Sequence, residues 1–259
     1  MDKNILLTTN LAVGYTTKKE KIYVAKNINI NLNPGKLIAL IGANGIGKST
    51  LLRTITGLQK PLSGAIFLNN REFQSYNSVD LAQNLSVVLT EKLPPSNLSI
   101  YELVALGRLP YTNWIGKLSN QDLEKINNAI ELTQIESFVH KKHFELSDGQ
   151  LQKVLIARAL AQDTPLIILD EPTTHLDLVN KVSVFKLLKK LTEQTNKCIL
   201  FSSHDIDLAI EFADEIIIIS DDFVVQNQPE KLIADGIFDL IFKNEPITFD
   251  AQKGKFIFN

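Results

Sequence analysis

One cysteine, one methionine and one tryptophan stand among the 259 residues. With Cys198 alone, no disulfide can form within the chain, which excludes the disulfide-stapled class of small secreted domains. Such cysteine usage fits a reducing compartment. Long hydrophobic runs are missing too. No apolar stretch approaches the roughly 20 residues that a helix needs to cross a bilayer. The run Ile216-Ile217-Ile218-Ile219 is far too short. Met1-Asp2-Lys3-Asn4 leads into a brief apolar run and then threonines, which is not the pattern of a secretory signal. A charge excess of either sign is also lacking. The formal net charge is −2, so composition gives no reason to expect nucleic acid or anionic lipid as a partner. No internal repeat and no low-complexity linker interrupts the chain. What remains is the composition of a globular protein, 44% apolar and 22% charged, long enough to bury a sizeable core.

Several short apolar runs stop abruptly at polar or glycine-rich turns. Leu37 to Ile41 precedes Gly42, and Leu166 to Leu169 precedes Asp170. Cys198 to Phe201 precedes Ser202-Ser203-His204-Asp205, and Ile216 to Ile219 precedes Ser220. Such runs read as buried strands of a mostly parallel sheet. Helical patterns fall between them, at Lys48 to Gly57, Gly149 to Gln162, Leu178 to Thr195 and Asp205 to Phe212. The alternation predicts an α/β fold with ligands at the carboxyl ends of the strands. Residues near 5–33 and 62–69 alternate apolar and polar positions instead, which predicts antiparallel strands. Residues 92–145 read as helical, the clearest helices being Leu98 to Leu106 and Gln121 to Phe138. The expected organisation is one domain over 1–259. Its core and antiparallel part occupy 1–91 and 146–259, and its helical subdomain occupies 92–145. The last ~35 residues carry no motif and are expected to pack on the core.

Two elements of this chain belong to phosphate chemistry. Gly42-Ala43-Asn44-Gly45-Ile46-Gly47-Lys48-Ser49 fits the phosphate-binding loop G-x-x-x-x-G-K-[ST]. Glycines let the backbone turn so that N–H groups face phosphates, and the following helix adds the positive end of its dipole. The candidate nucleotide-binding residues are Gly42, Asn44, Gly45, Gly47, Lys48, Ser49 and Thr50. Lys48 is expected to reach the β- and γ-phosphates, and Ser49 to ligate Mg²⁺. The buried run 166–169 ends in Asp170-Glu171. A carboxylate there suits Mg²⁺, and Glu171 suits activation of an attacking water. The bland alternative, a strand-end carboxylate capping the next turn, loses ground once the phosphate loop stands upstream.

Between these two lies Leu146-Ser147-Asp148-Gly149-Gln150, opening a helix through Ala157-Arg158-Ala159-Leu160. Ser147 suits a helix N-cap in its own right. The ordered set of motifs resembles the ATP-binding-cassette (ABC) ATPases over almost the whole chain. The resemblance implies a P-loop NTPase core, ATP and Mg²⁺ as cofactors, and a homodimer that sandwiches ATP. In that dimer Ser147, Asp148, Gly149 and Gln150 act on the partner's nucleotide. Asp148 replaces the family's usual glycine. The resemblance further implies that Asp177, in Thr174-His175-Leu176-Asp177, belongs to the loop crossing the dimer interface. It implies that His204 contacts the γ-phosphate and that Tyr15 stacks on adenine, with Tyr23 as the competitor. The family's glutamine between sheet and helical region is absent from Val87-Val88-Leu89-Thr90-Glu91. Glu91 aligns best with it and is a further candidate near Mg²⁺.

Leu98-Ser99-Ile100-Tyr101-Glu102-Leu103-Val104-Ala105-Leu106-Gly107-Arg108, then Pro110-Tyr111, is similar to the importers of iron chelates, haem and cobalamin. This resemblance implies an importer ATPase bound peripherally at the cytoplasmic membrane face. Its helical subdomain would face a separate permease, served indirectly by a substrate-binding protein. A soluble cassette acting on another protein, as in iron–sulfur assembly, stays open as the alternative. A regulator that binds ATP without turnover is opposed by the joint presence of Glu171 and His204.

Overall fold

A computed structural model describes residues 4–18, 20–90, 93–94, 96–241, 247–250 and 255–258. The chain opens with β1 (Leu6–Thr16), β2 (Lys21–Ile28), β3 (Asn31–Leu32) and β4 (Leu37–Ile41). There follow α1 (Lys48–Ile55), β5 (Ser63–Leu68), β6 (Arg71–Glu72), α2 (Ser78–Ala82) and β7 (Leu85–Val88). A helical stretch comes next, with α3 (Ile100–Ala105), α4 (Asn120–Thr133) and α5 (Asp148–Ala161). The second half alternates β8 (Leu166–Leu169), α6 (Leu178–Thr195), β9 (Cys198–Ser202), α7 (Ile206–Phe212) and β10 (Glu215–Ile219). It closes with β11 (Val224–Asn227), α8 (Pro229–Ala234), β12 (Ile247–Asp250) and β13 (Lys255–Phe258).

Among the described residues the central sheet runs β11-β10-β4-β9-β8-β7, parallel except for the β10–β11 pair. A second sheet, β2-β1-β5-β6 with β3 beside β1, is antiparallel. Both match the expected α/β class with an antiparallel part. The alternation of β4 explains how the layers assemble. Leu37, Ala39 and Ile41 point into the core shared with α5, α6 and the helical stretch. Ile38 and Leu40 point the other way, into the core shared with α1 and the antiparallel sheet. Successive side chains of a strand leave on opposite faces, so a continuous apolar run feeds two cores at once. Each fully buried Leu or Ile contributes about 1.5–3 kcal/mol relative to exposure. Cys198 lies inside this core, and burial, then the charges of Glu215 and Asp214, push its thiol pKa up.

The helical stretch differs from the expectation in two places. The helix expected over Leu98 to Leu106 is α-helical only for 100–105, and it tightens into 3-10 turns over Leu106–Tyr111. Pro110 lacks the N–H that an α-helix would need there. The helix expected over Gln121 to Phe138 stops at Thr133, because Gln134 takes the left-handed conformation with φ 58°. Ile135 beyond it is buried, so the chain turns inward rather than continuing. Near the C-terminus, Leu232, Phe238 and Ile241 are buried against the main core, and Phe249 stacks on Phe238 at 4.7 Å.

Candidate nucleotide site

Strand register brings the site together. Val88 pairs with Leu169, Leu169 with Phe201, Leu40 with Ser202 and Ile41 with Ile218. The five parallel strands therefore end at one edge. Gly42 follows β4, Asp170-Glu171 follow β8, and Ser203-His204 follow β9.

The loop from Gly42 wraps into α1. Gly47 caps that helix with φ 110°, and a β-carbon there would lie 2.1 Å from Val24 Cγ1. Glycine, without a β-carbon, accommodates both that backbone and that approach. Lys48 is buried, and its Nζ donates to the carbonyls of Gly42 at 2.9 Å and Ala43 at 3.2 Å. Burial lowers its pKa, against the opposing charges of Glu171 and Asp170. Tyr15, Asn44, Gly45, Thr50, Glu171 and His204 line a recess of about 240 Å³ over this loop. Tyr15 is half exposed, and its hydroxyl lies 2.7 Å from Thr50 Oγ1. Tyr23 is engaged elsewhere, with the Lys26 ammonium 4.1 Å from its ring centre.

Asp170 is buried at the end of β8, with Ser49 Oγ 3.5 Å from its Oδ1. A hydroxyl facing a carboxylate is a hard-oxygen donor pair of the kind that suits Mg²⁺. Glu171 has the left-handed φ of 49°. His204 Nε2 lies 2.6 Å from Glu171 Oε1, and Thr174 Oγ1 donates to Oε2 at 3.0 Å. An ionised carboxylate only accepts, so Nε2 carries the proton in this pair. Burial alone would raise the Glu171 pKa. The hydrogen bonds of His204 and Thr174, with the charges of His204 and Lys48, outweigh it and hold the carboxyl below its usual range.

Residues 147–150, expected to act on a partner's nucleotide, do not line this recess. Ser147 caps α5: its Oγ accepts the Gln150 N–H at 3.3 Å, and Gln150 Oε1 accepts the Ser147 N–H at 3.1 Å. Ser147 and Asp148 are exposed, and Asp148 lines a neighbouring cleft with Ser49 and Asp170. Gly149 is buried, and a β-carbon there would meet Asn180 Oδ1 at 2.7 Å. Asn180 in turn donates to Asp177 through its N–H at 2.8 Å and Nδ2 at 2.9 Å. The first of these bonds is the leading cause of the lowered Asp177 pKa. Gly149 and Asp177 are thus packed through one asparagine. Glu91 lies outside the described residues.

Two functional features escape sequence reasoning. Ser202 Oγ bridges Asp170 and the Glu171 amide, though a strand-end serine looks like any polar terminus. Gly107 and Arg108, within the helical subdomain expected to face a permease, are themselves buried. Arg108 is 4% exposed. Its Nε donates to Asp122 Oδ1 at 2.8 Å, its Nη1 to the Ala161 carbonyl at 2.8 Å, and its guanidinium lies over the Tyr111 ring. What this segment presents outward is Leu109, Trp114 and Ile115, at 58%, 94% and 68% exposure.

The family model described as ABC transporter matches residues 25–174. An uncharacterized ABC transporter ATP-binding protein of Methanocaldococcus jannaschii is 39% identical, over 91% of this chain and 82% of that one. The achromobactin transport ATP-binding protein of Dickeya dadantii is 35% identical, over 92% of this chain and 87% of that one. A solved chain from a metal-chelate type ABC transporter in an inward-facing conformation superposes with a TM-score of 0.79. It is 26% identical and covers 98% of this chain and 95% of its own.

Proposed function

The chain belongs to the ABC transporter family and is an ATPase; within that family, we propose that it drives an importer of an iron chelate, haem or cobalamin. The cargo crosses through a separate permease, and this chain sits peripherally on the cytoplasmic membrane face. The observation that carries the reading is the segment 106–115. Its Arg108 is clamped inside, so its apolar residues Leu109, Trp114 and Ile115 are held out toward solvent on a rigid base. Exposed apolar residues presented together mark a protein contact, here the permease. No helix among the described residues is long and apolar enough to cross a membrane. The similarity to an achromobactin transport protein supports the cargo class.

In this reading ATP lies along the loop from Gly42 to Ser49. Loop N–H groups and the start of α1 face its phosphates. Lys48 supplies positive charge to the β- and γ-phosphates. Ser49 and Asp170 would hold Mg²⁺, which neutralises phosphate charge when bound. Glu171, ionised and fixed by His204 and Thr174, accepts a proton from the attacking water. The Tyr15 ring packs on adenine. Ser147 to Gln150 lie outside the recess, so a second copy must bring its own set over the nucleotide. ATP then favours the closed dimer because only that state contacts it from both sides. Residues 92–145, together with α5 packed on α3 and α4, carry the motion to the permease.

Purification from membranes tests this reading. The expected outcome is recovery in a stable complex with a polytopic permease, lost when Leu109 and Trp114 are both changed to Asp. Recovery only as a free protein, with no membrane-spanning partner, would favour the soluble-cassette alternative.

A further inference from the structure

We propose that Ser202 is a positioning residue for hydrolysis, a single buried hydroxyl that sets both Asp170 and Glu171. The inference rests on the roles given to those two carboxylates above.

Ser202 is the last residue of β9 and is fully buried. Its strand lies beside β8, whose end delivers the two carboxylates. Ser202 Oγ donates to Asp170 Oδ1 at 2.7 Å and accepts the Glu171 N–H at 2.8 Å. A serine hydroxyl has one proton to give, and here it goes to Asp170. Its acceptor side is turned to Glu171. The two bonds do different work. The first restrains rotation of the Asp170 carboxylate, whose Oδ1 also faces Ser49 Oγ at 3.5 Å. The second fixes where the chain leaves β8. Glu171 is left-handed at φ 49°, a conformation that a non-glycine residue keeps only when its surroundings hold it. Its N–H is held by Ser202 and its carboxylate by His204 and Thr174. Removing one anchor lets the carboxylate drift while the others remain.

The neighbouring Ser203 does not duplicate this role. Its Oγ accepts the Asp205 N–H at 2.9 Å. Asp205 is engaged by Thr173 Oγ1 and Lys181 Nζ, on the far side of His204 in the chain. Ser202 thus serves the two carboxylates, and Ser203 serves the turn that carries His204.

Ser202→Ala keeps nearly the same volume and removes both bonds. The phosphate loop is untouched, so ATP binding is expected to persist. A carboxylate that is present but loosely aimed lowers the rate and not the affinity. Steady-state phosphate release with Mg·ATP should show kcat reduced about tenfold, with KM within about twofold of wild type. Amide hydrogen exchange supplies a readout independent of turnover. The Glu171 N–H should exchange at least about tenfold faster in Ser202→Ala, while amides of β4 and β8 keep their protection. Should the alanine variant lose its fold by thermal melting, Ser202→Cys, a weak donor of similar size, is read in the same way.

Glu171→Gln is measured beside it. Near-normal hydrolysis in Glu171→Gln would remove the reading on which the inference stands. A collapse of hydrolysis there, with wild-type kcat in folded Ser202→Ala, would overturn the Ser202 proposal alone. So would a fall in kcat with unchanged Glu171 exchange, or a parallel loss of ATP affinity. Slower turnover, retained affinity and faster exchange of that one amide together support it.

Discussion

His204 Nε2 donates to Glu171 Oε1 across 2.6 Å, while Thr174 Oγ1 holds Oε2 at 3.0 Å. Folding therefore favours the ionised glutamate, and its pKa is below the usual value despite burial. A depressed folded pKa stabilises the protein above the unfolded pKa of about 4.3, and that stability is lost as pH falls through the folded value. The difference in Tm between wild type and Glu171→Gln should shrink as pH falls below about 4.3. A difference that persists unchanged well below about pH 4.3 would contradict this.

Tyr15 brings a ring to the recess and a hydroxyl to Thr50 Oγ1. The ring, not the hydroxyl, is the expected source of adenine affinity. Tyr15→Phe should bind ATP within about threefold of wild type, whereas Tyr15→Ala should weaken it roughly tenfold, the scale of one base–aromatic stack. Equilibrium binding of a fluorescent ATP analogue measures both. Equal losses in the two variants would move the role from the ring to the hydroxyl.

Arg108 and Asp122 form a buried pair, both less than a tenth exposed. Asp122 also accepts from the N–H and Oγ of Ser119, so one carboxylate caps α4 and holds the arginine. Arg108→Ala leaves that carboxylate buried without its cation and should cost about 3–5 kcal/mol in urea unfolding. Lysine should not restore the loss, because Nε and Nη1 serve two acceptors in a fixed plane. A cost under about 1 kcal/mol would mean that the segment is not clamped as described.

How far the sequence announced this arrangement differs from residue to residue. The helix expected over Leu178 to Thr195 is found with those bounds, because Asp177 caps its start and Asn196 turns left-handed at its end. Four of the five parallel strands were legible as apolar runs ending in polar turns, a pattern that both faces of a buried sheet enforce. Gln134 was not legible as a helix end. Nothing local marks it, and the turn follows from burial of Ile135. Arg108 read only as part of a stretch resembling the importers, since sequence shows a charge but not the Asp122 that neutralises it 14 positions later. Ser202 was hidden for a similar reason. Its partners lie 32 and 31 residues away and meet it only through strand register.

Ser147 stands exposed at the start of α5 and does not line the recess over the phosphate loop. Ser147→Arg should thus leave ATP binding by single subunits intact and abolish hydrolysis through the partner. Lys48→Ala should abolish it through the subunit's own loop. Mixing the two variants should restore measurable phosphate release, because one site of the mixed dimer keeps every native group. Absence of any release from verified mixed dimers would argue against sites shared across the interface.

Import itself is the claim that most needs a direct measurement. The chain, the permease with which it purifies and the matching binding protein are reconstituted in liposomes, with ATP on the side of this chain. Accumulation of an iron–siderophore complex is followed. The account predicts ATP-dependent uptake with wild type and a loss of about 10²-fold or more with Glu171→Gln, which keeps the shape but removes the base. ATP hydrolysis that proceeds without moving a siderophore, haem or cobalamin, and that the permease leaves unchanged, would contradict it.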